Sequence, residues 1–348
     1  MKILALQLKR IGDLILTTGA LRALAEARPD AEITLAMHEG GALLFEAIPQ
    51  LAAGIVFGPG RGWTPWQQAL TGRWDAVLDF TGTDRSSLAT ALARARRRVA
   101  FDWARRRAWR GFVYTDFVDS AVREFHTADH YGHLLRPLGV DATSPLQPIL
   151  RAPAAADAEA SRRLREARID GPFVILHPGT ARPEKYWVAE RWAAVIRHLR
   201  EAGLDCVVTG GRDAFELQHL VDIFGFAGGF GLLEPAPAGT GKFLSLAGSN
   251  DLLTLAALVA RARLVVSCDT AMVHLAAAFQ IPQVALFGPT NPFHWRPRHP
   301  RALVLSAAQP DAPLVEFTPR QKGAPMDRLS TEAVIRATSC LLDAPFPG

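Results

Sequence analysis

The composition of this 348-residue chain is that of a globular protein, with 49% hydrophobic and 21% charged residues. This balance excludes disorder over any large part, and the length favours two domains of ordinary size. The three cysteines, Cys206, Cys268 and Cys340, are far apart, which excludes a disulfide framework and a zinc knuckle and indicates a reducing compartment. The apolar run at residues 3–8 is too short for a signal peptide, and no charge-free run reaches the roughly 18 residues of a membrane span. We therefore expect a soluble, cytoplasmic protein.

The net charge of +5 originates in one part of the chain. Residues 85–110 contain nine arginines and a single acidic residue, Asp102. Such a stretch could face the phosphates of an acidic substrate, a nucleic acid or an anionic membrane surface. A solvated helix face in an arginine-biased composition is the alternative.

Strands and helices are predicted to alternate along the first half. Apolar runs indicate strands, and helical periodicity fills the segments between them. This alternation is typical of βαβ units with a parallel sheet. In chain order, the sequence predicts strand 2–8, helix 13–27, strand 32–37, a helix near 42–47, strand 54–57, a helix around Trp66, strand 74–80, helix 86–95, a short strand near Val99 and helix 129–138.

The same pattern restarts after residues 141–170, which are rich in proline and alanine. We therefore expect one Rossmann-like domain at 1–160, a second at 161–328 and a final helix within 329–348. Two such domains should face each other across a cleft, with ligands at the carboxyl ends of the strands. The glycine-rich stretch 225–241 is predicted to be a surface loop. The predicted elements here are strand 173–176, helix 189–201, strand 204–209, helix 214–224, helix 251–260, strand 264–267, helix 270–278, strand 283–287 and helix 331–342.

Several nucleotide-binding and metal-binding motifs are absent from the sequence. Residues 239–242 look like a phosphate loop, but Ala236 replaces its first glycine and Phe243 replaces its Mg²⁺-binding hydroxyl residue. The sequence contains no G-x-G-x-x-G after a strand, no G-x-S-x-G, no Asp-x-Asp and no H-E-x-x-H. An NAD enzyme, an α/β hydrolase and a zinc protease are therefore excluded, and we expect neither a cofactor nor a metal.

The first candidate site follows the first predicted strand. Residues 9–13 read Lys-Arg-Ile-Gly-Asp, and Thr17 lies one helical turn further on. Gly12 allows a sharp turn, which would place Asp13 at a helix N-terminus beside the strand end. A plain N-cap role for Asp13 is the alternative.

The second candidate site follows the first strand of the second domain. It consists of His177, Gly179, Thr180 and, a few residues later, Lys185. Gly179 and Thr180 offer backbone and hydroxyl donors, and Lys185 offers a point charge, all of which suit a diphosphate. A loop with a solvated lysine is the alternative.

The third candidate site is the strand-to-helix turn at residues 267–274. The free N–H groups around Thr270 and Ala271, together with the Thr270 hydroxyl, would form an anion site. His274 lies one turn inside the same helix, and a buried core histidine is its alternative role. The next strand ends in Gly288, Pro289 and Thr290, which can converge on the same edge.

At these residues the chain resembles the family 9 glycosyltransferases, the ADP-heptose:lipopolysaccharide heptosyltransferases. The matching segments cover nearly the whole chain in order: residues 12–13, 74–82, 126–131, 177–192 with the pattern H-P-G-T-x6-W-x2-E-R-W, 269–276 and 286–290. The resemblance implies a GT-B fold, with the acceptor bound by the first half and the nucleotide sugar by the second. It also implies a last helix that packs back onto the first domain, and inverting chemistry without a metal.

The resemblance also implies roles for individual residues. Asp13 would be the general base, and Lys185 would stabilise the leaving diphosphate. The residues expected to bind the nucleotide sugar are His177, Gly179, Thr180, Lys185, Asp269, Thr270, Ala271, His274, Gly288, Pro289 and Thr290. The residues expected to bind the acceptor are Arg10, Gly12 and Thr17.

The implied partners are ADP-heptose and an acidic glycolipid acceptor, with a peripheral contact at the inner membrane surface and no nucleic acid. Lys9 and Arg10 replace the small residues of many members, Cys268 replaces a common asparagine, and Asn291 replaces a frequent acid. These departures leave the chemistry intact and bear on the acceptor.

Two alternatives remain open at the level of sequence. A GT-B enzyme with another nucleotide sugar, either a transferase or an epimerase, would prefer UDP to ADP. A nucleic-acid-binding protein would interleave aromatic residues with its arginines, as Trp103 and Trp109 do loosely. That second role would leave the three strand-end motifs without a purpose.

Overall fold

Two six-stranded parallel sheets organise the chain. The computed structural model describes residues 1–226, 239–249 and 251–343. Its contacts divide into two units, Met1–Arg151 and Ala152–Gly348, each with its own sheet. Among the described residues, no helix combines the length and the apolar character that crossing a bilayer requires.

The first unit has the strand order β3-β2-β1-β4-β5-β6, with every neighbouring pair parallel. Residues 3–6 of β1 are fully buried, as expected for a strand that helices cover on both faces. The strands are β1 (Lys2–Gln7), β2 (Glu32–His38), β3 (Ala53–Phe57), β4 (Ala76–Asp79), β5 (Arg97–Phe101) and β6 (Asp116–Val118). The helices are α1 (Ile11–Ala27), α2 (Glu39–Ala42), α3 (Thr64–Thr71), α4 (Asp84–Ala93), α5 (Ala108–Gly111) and α6 (Thr127–His133).

The second unit has the strand order β12-β11-β10-β7-β8-β9, again with all neighbours parallel. Its strands are β7 (Phe173–His177), β8 (Asp205–Val208), β9 (Phe243–Ser245), β10 (Leu264–Cys268), β11 (Gln283–Phe287) and β12 (Ala302–Ser306). Its helices are α7 (Ala154–Glu166), α8 (Ala189–Glu201), α9 (Ala214–Phe226), α10 (Leu252–Arg261), α11 (Ala271–Ala278), α12 (Pro292–Trp295) and α13 (Thr331–Asp343).

Both units have the same topology, because numbering the strands within each unit gives the order 3-2-1-4-5-6 twice. This is the doubly wound order, in which successive strands are added first to one side of the first strand and then to its other side. The reversal leaves a crevice at the carboxyl ends of β1 and β4 in one unit and of β7 and β10 in the other. The predicted class, two Rossmann-like α/β domains with parallel sheets, is confirmed.

The core of the second unit is built around two tryptophans. The rings of Trp187 and Trp192 are fully buried and meet edge to face at 5.3 Å. The indole N–H of Trp187 donates to the carbonyl oxygen of Leu329 at 2.9 Å. Two of the cysteines, Cys206 on β8 and Cys268 on β10, are buried in this core, whereas Cys340 on α13 is exposed.

The division between the units falls at residue 151, nine residues before the predicted boundary at 160. The predicted boundary falls within helix α7. This helix packs on α10 through its buried Ala160 and Leu164, and its Asp157 pairs with Arg261. The boundary therefore precedes α7, because its apolar face is buried in the second unit.

The last helix, α13, packs on α8 and on strands β10 to β12 of its own unit. Its buried face, which includes Val334, Ala337 and Leu341, belongs to the core of the second unit. Packing of this helix onto the first domain stays a prediction.

Three edge or near-edge strands, β6, β9 and β12, were not predicted from the sequence. Most of the predicted loop at 225–241 lies outside the described residues, and the part that is described leads into β9.

Candidate active site

Asp13 lies in the first turn of α1, which begins two residues earlier than predicted. Arg10 is the N-cap residue and makes no side-chain capping bond, so the alternative role of Asp13 as an N-cap does not apply. Instead, the Tyr131 hydroxyl donates to Asp13 Oδ1 at 2.6 Å. Packing of α6 on α1 brings these two residues together across 118 positions of sequence.

The phenol of Tyr131 is suited to hold that carboxylate. The side chain is 1% exposed, and burial, followed by the charge of Asp13, raises its pKa well above the ordinary value. The hydroxyl therefore stays protonated and acts as a donor to Asp13. One feature of the sequence points to this residue, because Tyr131 ends the segment 126–131 that resembles the family.

A pocket of about 460 Å³ opens beside Asp13. It is lined by Leu8, Lys9, Arg10, Asp13 and His38. Lys9 and Arg10 are exposed, so the pocket combines one carboxylate with two cations. His38 was not predicted, although it ends β2, the neighbour of β1 in the sheet.

Thr17, which the sequence predicts to bind the acceptor, does not line this pocket. The residue is fully buried. Its hydroxyl accepts a hydrogen bond from Gln7 Nε2 at 2.8 Å and donates to the carbonyl oxygen of Asp13 at 2.8 Å. The i+4 spacing places Thr17 on the same helix face as Asp13. At Thr17, one turn further along the helix, the sheet covers that face.

A buried carboxylate, Asp79, shapes the turn next to the Asp13 pocket. Its Oδ1 accepts from the backbone N–H groups of Thr81 and Gly82, both at 2.9 Å, while Tyr114 donates to Oδ2. The Thr81 hydroxyl in turn accepts from the N–H of Leu8 at 2.7 Å. Burial raises the pKa of Asp79. The loops after β1 and β4 are thus joined at the crevice of the first unit.

In the second unit, Lys185 and Asp269 form an ion pair at the crevice. Lys185 Nζ lies 2.6 Å from Asp269 Oδ2, and the two side chains are only 14% and 8% exposed. Lys185 follows β7 and Asp269 follows β10, which are neighbouring parallel strands. The lysine is therefore held in a fixed position, which excludes the alternative of a solvated lysine.

His177 and Gly179 are fixed by close neighbours at the end of β7. His177 Nδ1 lies 2.9 Å from the Thr209 hydroxyl oxygen, and burial lowers the pKa of this histidine to about 4. A Cβ at Gly179 would lie 1.6 Å from Glu216 Oε1, and that same oxygen accepts from the N–H of Gly211 at 2.6 Å. Glu216 was not predicted, since nothing in its spacing links it to Gly179.

Helix α11 presents its N-terminus at the same edge of the second sheet. Thr270 is the N-cap residue, and its hydroxyl oxygen accepts from the N–H of Met272 at 3.2 Å. Ala271 opens the helix and is half-buried, as is Thr270. Thr180 and His274 are buried, with His274 5% exposed. The helix end therefore combines accessible residues with a dipole that favours an anion.

Gly288, Pro289 and Thr290 follow β11 and lie at this edge because β11 is parallel to β10. The carbonyl oxygen of Gly288 accepts from the N–H of Ala324 at 3.0 Å, and a Cβ at Gly288 would lie 2.4 Å from Met326 Sδ. Pro289 lines a pocket of about 550 Å³, together with Pro183, Glu184, Tyr186 and residues 323–327.

The arginine-rich stretch is partly structural. Arg110 is buried and donates to Asp84 Oδ1 at 2.6 Å and to the carbonyl oxygen of Gly82 at 2.7 Å, and Arg107 also pairs with Asp84. Arg98 donates to the carbonyl oxygens of Ala95 and Val113. In the part of the chain that the structure describes, no three His, Cys, Asp or Glu side chains converge as metal ligands would.

Comparisons with known proteins agree with this arrangement. Residues 63–324 match the model of glycosyltransferase family 9 (heptosyltransferase). Lipopolysaccharide heptosyltransferase 3 of Escherichia coli is 25% identical over 299 residues, which cover 82% of this chain and 83% of that protein.

Two solved structures have the same fold. The glycosyl transferase family 9 protein from Veillonella parvula has a TM-score of 0.82 at 24% identity, covering 98% of this chain and 97% of its own. The Escherichia coli heptosyltransferase WaaC, solved with ADP, has a TM-score of 0.73 at 22% identity and covers 98% and 100%. Because the family model matches well over half of the sequence, the chain belongs to glycosyltransferase family 9, the heptosyltransferases.

Proposed function

We propose that this glycosyltransferase moves a heptose from ADP-heptose to the inner core of lipopolysaccharide or a related glycan, with inversion and without a metal ion. The observation that carries the proposal is Asp13, a carboxylate held by Tyr131 at the wall of a basic pocket. The names of the relatives support the substrates, because one is a lipopolysaccharide heptosyltransferase and another was solved with ADP.

Asp13 is the general base in this proposal. As the acceptor hydroxyl attacks the anomeric carbon, its proton passes to the free oxygen of Asp13. The new C–O bond forms as the bond to the diphosphate breaks, and the diphosphate leaves with the electron pair. A single displacement of this kind inverts the anomeric carbon. One carboxylate is sufficient, since the leaving group needs charge stabilisation more than it needs a proton.

The second unit binds the donor and stabilises the charge that develops on the diphosphate. Lys185 supplies a buried positive charge, and Asp269 keeps its ammonium at the crevice. Thr180, the N–H groups at the start of α11 and His274 lie at the same edge of the sheet. A buried cation and a helix N-terminus suit a diphosphate without a metal, because both are preorganised.

The first unit binds an acidic glycolipid acceptor in this proposal. Lys9 and Arg10 flank Asp13 in the pocket, so a phosphate or carboxylate near the accepting hydroxyl would be bound beside the base. A glycolipid acceptor also implies a peripheral contact between this unit and a membrane surface.

Calorimetric titration tests the donor assignment. The purified chain is titrated with ADP, UDP, GDP, CMP and NAD in the presence of EDTA. A clear preference for ADP is expected, followed by release of ADP when ADP-heptose and a heptose-deficient lipopolysaccharide core are added. A preference for UDP would overturn the heptose donor and favour another nucleotide-sugar enzyme. Loss of binding in EDTA, restored by a divalent cation, would overturn metal independence.

The variant Lys185→Ala tests the donor site. Both turnover and ADP affinity should fall, because Lys185 is proposed to contact the diphosphate before and during its departure. Unchanged ADP affinity would remove Lys185 from the donor site.

A further inference from the structure

Two large aromatic side chains project from the first unit within the arginine-rich stretch. Trp109 is 43% exposed and Phe112 is 86% exposed, and they lie three residues apart at helix α5. Arg105, Arg106 and Arg107 precede them and are exposed as well. We name these five residues the aromatic–arginine patch. Exposed aromatic rings beside arginines are unusual on a soluble surface and indicate an interaction site.

The patch is rigidly attached to the unit. The guanidinium of Arg110, one residue after Trp109, is buried and is bound by Asp84 and by the carbonyl oxygen of Gly82. Trp103 packs directly on Gly82, where a Cβ would lie 2.1 Å from its ring. The segment that carries Trp109 and Phe112 is thus anchored to the turn after β4 while both rings are exposed.

Positive charge dominates around the patch. Arg107 shares Asp84 with Arg110, and Arg105 pairs with Asp102, whereas Arg106 makes no ion pair within the described residues. Three more exposed arginines, Arg94, Arg96 and Arg97, belong to the same stretch of sequence. Arg98, which follows them, donates to the carbonyl oxygen of Val113, the residue after Phe112. An anionic partner would therefore be attracted to the surface that displays the two rings.

The patch is also connected to the edge of the sheet that carries Asp13. Gly82 and Asp84, to which it is fastened, follow β4, and β4 is the parallel neighbour of β1. The N–H of Leu8, a wall residue of the Asp13 pocket, donates to the hydroxyl of Thr81 in that same turn. The two rings and the pocket thus share one structural support.

We propose that the aromatic–arginine patch docks on an anionic lipid bilayer, with Trp109 and Phe112 in the headgroup region and the arginines on the lipid phosphates. Aromatic rings favour that interface, and each nearby arginine strengthens binding to anionic lipid. A nucleic acid is a poorer fit, because it favours a basic groove with stacking platforms, whereas these rings project from a four-residue helix and the residue that follows it. The purpose of the docking rests on the proposed function, in which the acceptor is a membrane glycolipid.

Co-sedimentation with vesicles tests the patch. The full chain is mixed with vesicles of equal parts phosphatidylcholine and phosphatidylglycerol, or of phosphatidylcholine alone. Binding is expected only to the anionic vesicles and should weaken with added salt. Trp109→Ala combined with Phe112→Ser should lower the partition coefficient at least about tenfold. Arg106→Glu should lower it at least about fivefold at low salt.

Matched controls come from the second unit. Val315 is 91% exposed, and Arg320 is exposed, so Val315→Ser and Arg320→Glu make the same kinds of change elsewhere. Both should bind vesicles as the unmodified chain does, and circular dichroism verifies that every variant is folded. Equal loss in the control variants, or unaltered binding in both patch variants, would overturn the proposal. Tighter binding to a single-stranded oligonucleotide than to anionic vesicles, lost in the patch variants, would overturn it in favour of nucleic acid.

Turnover on a soluble core oligosaccharide separates this proposal from the function. If the patch is a lipid contact, its variants retain turnover on the soluble acceptor and lose it on acceptor embedded in anionic vesicles. Vesicle binding by the patch without turnover on either acceptor would leave the patch in place and overturn the proposed function.

Discussion

The contact between Asp13 and Tyr131 restricts the orientation of the proposed base. One carboxylate oxygen is occupied by the phenol, which leaves the other for an acceptor hydroxyl. A buried donor that holds a partly exposed carboxylate reduces the reorganisation required during proton transfer.

Asp13→Ala should reduce turnover by roughly 10²–10⁴-fold, the contribution of a positioned general base. ADP affinity should stay nearly unchanged, because the donor residues belong to the other unit. Steady-state kinetics and ADP titration of the same preparation measure both quantities. Asp13→Asn keeps the shape and hydrogen bonding but not the basicity, so it should be equally slow. Full turnover in either variant would exclude Asp13 as the base.

Tyr131→Phe removes the hydrogen bond and keeps most of the ring contacts, including the edge-to-face contact with Phe80. Without that donor the Asp13 carboxylate can turn away from the acceptor hydroxyl, so kcat should fall while ADP affinity stays unchanged. Turnover at the pH optimum should fall less than in Asp13→Ala. A kcat equal to that of the unmodified chain would mean that Tyr131 is only a packing residue.

The sequence predicted Asp13, Lys185 and Asp269 as site residues but not the contacts that hold them. Lys185 and Asp269 are 84 residues apart, and their pairing follows from the crossover that makes β7 and β10 neighbours. Tyr131 reaches Asp13 only because α6 packs on α1. Thr17 lies away from the pocket for a related reason: helical spacing identifies a face of the helix but does not show where the sheet begins to cover it.

Among the elements, the loop that follows β7 tolerates little change of shape. An added methyl group at Gly179 would displace the carboxylate of Glu216, which is bound by the N–H of Gly211. Glu216 is a flexible side chain and can move, but the displacement breaks that hydrogen bond. Glu216 of α9 is therefore what excludes a side chain at Gly179. The backbone of Gly179 does not, because its φ is not positive.

Gly179→Ala should lower the free energy of unfolding by about 1–3 kcal/mol, the effect of losing a charged hydrogen bond. It should also weaken ADP binding, since the displaced carboxylate lies beside Thr180. Gly171→Ala is the matched control, because a Cβ at Gly171 meets nothing within 4 Å, and it should change stability by no more than about 0.5 kcal/mol. Urea denaturation of both variants measures the difference, and equal stability would contradict the clash.

The central strands were predictable, whereas three of the four edge strands, β6, β9 and β12, were not. Strands β1, β4, β7, β10 and β11 are continuous apolar runs because helices cover both faces of the sheet. Strands β6 and β9 have three residues each, with Asp116 and Ser245 among them, so no apolar run identifies them. Their pairing is decided by the neighbouring strand rather than by local pattern.

Across the described residues, burial lowers the pKa of several histidines, most strongly that of three. Burial lowers the pKa of His130 to about 3 and the pKa values of His177 and His299 to about 4, from an ordinary value of 6.5. The first histidine belongs to the first unit and the other two to the second. Both units therefore share a sensitivity to acid, because each unfolded unit binds protons that its folded form excludes.

The free energy of unfolding should fall as the pH decreases from 6.5 towards about 4. A histidine whose folded pKa is lowered binds its proton in the unfolded chain first, so acid favours unfolding throughout that range. Below the folded pKa this contribution stops growing. Thermal unfolding at a series of pH values measures the effect. His299→Gln should make the decline shallower, and a decline of unchanged steepness would show that His299 does not take part.

The positions of the three cysteines leave one thiol open to chemical labelling in the folded protein. Burial raises the pKa of both Cys206 and Cys268 to about 12, so neither forms the thiolate that reacts with a maleimide. Cys340 is exposed on α13. A fluorophore added to the native protein should therefore attach to Cys340 alone, and so report on the second unit without any engineered cysteine.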